Sequence, residues 1–375
     1  MWALDNRTPF AAERCWVRDE QGAEVWLVAV RAAFDIREDG ALRLAEPQEP
    51  VVLAPRFRGD ASSSSLLEDT DVPHMRDRTD VLVEGSAYAP GGRPATRVDV
   101  RLRLGAIDKT LRVTGDRVWR RTLFGLRMSR PEKFLSIPLV YERASGGSDR
   151  SSEDPSRHAW DERNPVGRGF VTRRSRLAGQ LAPNVEYPSD RVRDTKLFRR
   201  WRQRVRPAGF GPIAGHWSPR RELSGTYDAK WESTRQPLLP TDFDRRYYQS
   251  APVDQQLEAR ARAGDRVELS NMTPDGRLSF RLPRVLLGFS TRFFDGKVVH
   301  HRPALHTVLI RPDTRQLVLV WHTHLECHHD VLQLATTRIT LKKRVRTFGE
   351  PWIGEDWQPH TDPVIGERSA LTEAP

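Results

Sequence analysis

Three groups of side chains in this 375-residue sequence could do chemistry. The first is histidine. Seven of the eleven histidines lie between His300 and His329, and His322, His324, Glu326 and His328 alternate. On a strand continued past Val320 these four share one face, a geometry that presents ligands to zinc. His322, His324 and His328 are therefore the metal candidates. Cys327 and His329 would point the other way, so no one tetrahedral site uses them all, and a histidine-lined sheet face is the plainer reading.

The second group is Asp242 and Asp244, which flank Phe243 on one side of an extended segment. Paired carboxylates can divide acid and base work or hold a metal. Here they follow Pro240 and precede Arg245 and Arg246, which favours turn-forming, charge-paired, structural residues. Gly225, Gly146 and Gly147 are read as structural with them. The third group is the patch Arg191–Arg206, RVRDTKLFRRWRQRVR, where Phe198 and Trp201 interleave with arginines. The net charge of +11 invites a nucleic-acid reading of it. Arginine is abundant along the entire chain, however, so a solvated face or a dock for an acidic protein is preferred and nucleic acid is disfavoured. No nucleophile elbow, phosphate-binding loop or catalytic cysteine pattern is present, the serines at 62–65 have no adjacent base, and no cofactor is implied.

The elements that must position these residues are mainly β. Arg14 to Ala45 reads as a meander with a long strand over Glu24–Ile36 between turns at Asp19–Gly22 and Arg37–Gly40. Gly59–Asp80 reads as a polar loop rich in carboxylates. In TRVDVRLRLG, Val98, Val100, Leu102 and Leu104 alternate with charged residues, the period of two of a half-buried strand. A hairpin is predicted around Gly115-Asp116, with Leu111 and Val113 before it and Val118 and Trp119 after it. Strands resume over RVELSN, RLSFRLP, KVVHH, LHTVLIRPDTRQLVLVWHTHLE and TTRITLKKR. Between the flanks, Pro207–Gln256 is dense in Gly, Pro, aromatics and paired charges, an irregular stretch that orders only by packing on something else. A helix is predicted over Ala251–Ala263, from Pro252 to Gly264.

The predicted fold is thus mainly β, with antiparallel sheets in two β-rich lobes, sandwich or barrel-like, joined by a long irregular middle with one or two short helices. The division is 1–140, 141–256, 257–345 and a tail 346–375, with one continuous domain over 1–345 as the alternative. Only Cys15 and Cys327 are present, which excludes a disulfide framework and suits a reducing compartment. No export signal or membrane span is legible near the N-terminus, so a cytoplasmic location is expected.

Asn6 with TPF, GDASSSSLLEDTDV, TDVLVEGSAYAP, TGDRVW, PLVYERASGG, ERNPVGRGF, PAGFGPIAGHW, SGTYDAKW, LPTDFDRRYYQSAPVDQQ, GDRVELSNMTPDG and RLP occur in this order. They resemble successive blocks of a bacterial domain-of-unknown-function family associated with type VI secretion. Ser145 and His306 stand where that pattern has an aromatic and an aspartate. The resemblance implies a non-catalytic adaptor or chaperone whose partners are a secreted effector and the VgrG spike. Anchors for such a partner are sought among aromatics and arginines. In the basic patch these are Arg199, Arg200 and Trp201. In the irregular segment they are Trp217, Arg220, Tyr227, Trp231, Arg245 and Tyr247. The rival readings are a hydrolase or metal enzyme at Asp242/Asp244 or His322–His329, and nucleic-acid binding at Arg191–Arg206.

Overall fold

Periodicity dictates the strands. Along Arg97–Leu104 every second side chain is buried and its neighbours face water. The largely apolar strand Glu24–Ile36, interrupted by Arg31, is instead covered on both faces, as befits the middle of a sheet. A computed structural model describes residues 2–73, 75–192, 204–327 and 331–341. These are mainly β, in several largely antiparallel sheets with no closed barrel, and contain one α-helix, Ala229–Thr234.

The largest sheet runs in the order Gln256–Leu257, Thr79–Val83, Ala304–Arg311, Gln316–Glu326, Glu24–Ile36, Ala11–Arg18, with Leu42–Leu44 also paired to Glu24–Ile36. A five-stranded antiparallel sheet orders Val185–Glu186, Ile107–Thr114, Arg97–Leu104, Arg266–Ser270 and Arg277–Arg281. A third, four-stranded sheet orders Ala3–Arg7, Leu334–Leu341, Leu287–Phe293 and Val298–His301. Each of the three draws strands from both β-rich flanks of the chain. One buried core joins them: Trp26, Val28 and Val30 of the first sheet, Val100 and Leu269 of the second, and Phe289 and Ile339 of the third belong to it. On the other face of the largest sheet, Ala33, Leu82, Leu309, Val318 and Val320 form a second cluster.

Two sequence expectations are corrected. Ala251–Ala263 is not a helix: Val253–Gln255 is a single 3-10 turn, and Gln256–Leu257 pairs antiparallel with Thr79–Asp80. The Gln255 amide donates to the carbonyls of Val81 and Phe210, so unpaired sheet edge outcompetes a weak local helix preference. Nor does the chain turn back at Gly115-Asp116. Ile107–Thr114 pairs with Arg97–Leu104 and Val185–Glu186, while Trp119–Thr122 forms its own hairpin with Gly125–Met128. Gly115 serves a close crossing, since a Cβ there would lie 1.9 Å from the carbonyl oxygen of Glu132.

The buried face of the long strand carries one charge. Arg31 is 1% exposed. Its guanidinium donates to Glu68 at 2.5 Å, Glu49 at 2.7 Å and Asp71 at 3.0 Å, all from the connection after the first meander. Arg311, on the same face, shares Glu49 and Glu68 and adds Glu84. Burial works to raise the Glu49 carboxyl, but hydrogen bonds from Arg31 and Arg311 hold it below the usual range. Removing the cation strands its carboxylates in a low-dielectric site, so Arg31→Met is expected to cost about 3–5 kcal/mol. Urea unfolding checks this, with the midpoint falling and the slope unchanged.

Candidate functional site

Side chains rather than a regular ladder fasten the irregular segment to the sheets. Arg76 donates to the carbonyl of Tyr248 at 2.8 Å and to the Thr307 hydroxyl at 2.7 Å. Asp80, fully buried, accepts from the Gln249 side chain and the Ser250 amide, each at 2.7 Å. Arg220 pairs with Asp69 at 3.0 Å and donates to the carbonyls of Tyr247 and Ile213. Lys109 reaches in from the five-stranded sheet to the Gly209 carbonyl, Asp254 and Gln255, all within 2.8 Å. The carboxylate-rich loop of the sequence supplies Asp69 and Asp80 to this clamp. The pairing of Asp69 with Arg220, about 150 residues on, had no local signal.

On the outside of this clamped segment lies an open pocket of about 520 Å³. Pro237, Leu238, Tyr247 and Tyr248 line it from the segment, Val72 and Pro73 from the loop, and Val17 to Asp19 from the end of a strand. The paired Arg220 and Asp69 contribute polar wall. Next to it the short helix is capped by Asp228, which accepts from the Trp231 amide at 2.8 Å. The Trp231 indole donates to the Leu238 carbonyl, and Tyr227, 54% exposed, meets its ring edge-on at 4.7 Å. A concave surface of prolines and aromatic rings with a few fixed polar groups suits an extended apolar segment of another chain.

The sequence-predicted anchors separate into three sets. Tyr227 and Trp231 stand beside this pocket, Tyr247 lines it, and Arg245 is held at its side by Glu20 at 2.6 Å. Trp217 and Arg220 are corrections: Trp217 is 1% exposed and packs edge-on against Tyr141, and Arg220 is a buried clamp, so neither is free to grip a partner. Arg199, Arg200 and Trp201, with the core of the basic patch, lie outside the described residues, as does His328.

Asp242 accepts from the Thr226 amide and hydroxyl, at 3.0 and 2.7 Å, closing the turn at Gly225. Asp244 caps the following 3-10 turn through the Arg246 amide and pairs with its guanidinium at 2.5 Å. Gly225 has φ +80° and lies against Pro240; Gly146 and Gly147, also at positive φ, lie against the carbonyls of Asn164 and Gly167.

His322 and His324 do share a face of the strand Gln316–Glu326. The ring facing His322 is His306, 5.3 Å away and fully buried beside Arg76, where a bulge breaks the register between Leu305 and Thr307. Among the described residues, no group of three His, Cys, Asp or Glu is arranged to hold a metal. Burial, with Arg76 and His322 adding to it, holds His306 well below the ordinary imidazole value. Burial, with His300, pushes His301 down to about 4.

Both histidines fold neutral and unfold into chains that bind protons near pH 6.5, so the unfolded state holds more protons between those values. The His301 contribution is complete above about pH 6.5 and is lost as pH falls toward 4, and that of His306 begins to be lost below the same pH. The urea midpoint is expected to fall over that window, and to fall less steeply in His301→Gln and His306→Gln proteins. Parallel slopes in all three would count against this account.

The comparisons with curated proteins and with solved structures each found no match. Residues 21–322 match a family model described as an uncharacterized protein conserved in bacteria, DUF2169. That span takes in the clamp, most of the large sheet and most of the pocket lining, and the chain belongs to the DUF2169 family.

Proposed function

We propose that the chain is a non-catalytic protein-binding factor, a type VI secretion adaptor or chaperone that stabilises an effector in the cytoplasm and assists its loading onto the VgrG spike. The observation that carries the binding role is the proline- and tyrosine-lined pocket beside the exposed Tyr227 and the half-buried Trp231. A rigid surface of this composition loses little conformational freedom on contact, which is what a recognition site needs. The secretion role rests on the ordered sequence blocks described above.

The hydrolase alternative draws less support, because Asp242 and Asp244 are committed to a turn and a cap. Among the described residues no helix is long and apolar enough to cross a membrane.

Co-expression with type VI effector and VgrG spike proteins of the same genome tests the proposal. The effector is expected to become more soluble and to co-elute with this protein. Tyr227→Ala is expected to weaken that complex by about 2 kcal/mol, the scale of an aromatic hot spot, at unchanged melting temperature. Absence of any complex at low salt would sink the reading.

A further inference from the structure

A second surface stands apart from this pocket. The hairpin Trp119–Thr122/Gly125–Met128 buries its inner face: Trp119 and Leu126 join Val171, Leu177 and Ala182 in a small core of their own, and Met128 packs against it. The tip is the opposite. Leu123 is 99% exposed and Phe124 84% exposed. Two-residue hairpin turns favour Asn, Asp and Gly, whose polarity or freedom suits that position. Here Gly125 alone takes a positive φ, +107°, and the two tip residues are large and apolar.

Charge marks the same place. Arg120, Arg121, Arg127 and Arg130 are exposed, and among the described residues none is joined to a carboxylate. The register sets Arg120 directly opposite Arg127, a like-charge pair that works against the hairpin. The Arg127 guanidinium lies 6.0 Å from the centre of the Phe124 ring. Elsewhere several strand arginines pair across the sheet, as in Arg101 with Asp108 and Arg112 with Asp99. An apolar tip that no element covers, ringed by cations with no counter-charge, is complementary to an apolar pocket rimmed by carboxylates.

We infer that this hairpin is a docking probe that inserts Leu123 and Phe124 into an acidic-rimmed apolar pocket of a partner protein. The partner is a protein rather than a lipid surface because two side chains at one point offer a bilayer little apolar area, whereas a rigid aromatic beside arginines is the composition of an interface hot spot. The inference rests on the adaptor reading and assigns it a second contact.

The probe is the effector or spike protein captured in the co-expression test. Leu123→Ser/Phe124→Ser is expected to weaken that complex at least tenfold without lowering the melting temperature. Arg120→Glu separates binding from folding: it turns the like-charge pair with Arg127 into an attractive one, so the fold should be as stable or more so while binding weakens. If the wild type captures nothing, the adaptor reading falls and this contact with it. If the wild type captures a partner that both variants bind equally well, the hairpin inference alone fails. Sedimentation with phosphatidylglycerol vesicles that the tip variant loses, while the protein complex is unaffected, would make this a lipid-binding surface and overturn the proposal.

Discussion

A guanidinium buried in the middle of an apolar sheet is the constraint on which much else depends. Taking Arg31 out of water costs several kcal/mol, and only closely placed carboxylates repay it. Those carboxylates come from residues 49–71, so this connection is fixed against the sheet although it contains little regular structure. The same stretch then carries Asp69 to Arg220 and, at 3.8 Å, to Arg76. One buried charge therefore orders a loop, and the loop orders the irregular segment beyond it.

Irregular backbone has the same donors and acceptors as a strand, and burying it requires that they be met. Here long side chains meet them: Arg76, Arg220, Lys109 and Gln255 donate to the main-chain carbonyls of Tyr248, Tyr247, Gly209 and Phe210. Such buried polar networks rigidify when complete. Their result is a fixed display of Tyr227, Trp231, Tyr247 and Tyr248 around a concave surface, carried on one short α-helix, a 3-10 turn and irregular chain.

The positive charge of the chain does not act as one field. Arg101, Arg103, Arg112, Arg266 and Arg277 of the five-stranded sheet are matched by Asp99, Asp108 and Glu268, and Arg76 and Arg220 near the core are consumed by the clamp. What remains uncompensated at the hairpin, Arg120 and Arg127 above all, is a local feature that the total of +11 conceals. Composition counts charges, whereas recognition depends on which of them have been neutralised.

By itself the sequence determined the β character, the strands from Glu24–Ile36 to Leu334–Leu341 and the irregular nature of residues 207–256, because period-two alternation and Gly/Pro content act over a few neighbouring residues. It also determined the family. Only the tertiary structure decided that strands from both flanks share each large sheet, since pairing between residues as far apart as Leu104 and Val267, or farther, leaves no local mark. The same holds for Gln256–Leu257, a sheet edge where a helix pattern was legible, and for Trp217 and Arg220, whose types suit an interface but whose surroundings are core. Exposure is a property of what packs against a side chain. That is why Leu123 and Phe124, ordinary in sequence, became conspicuous only in the fold.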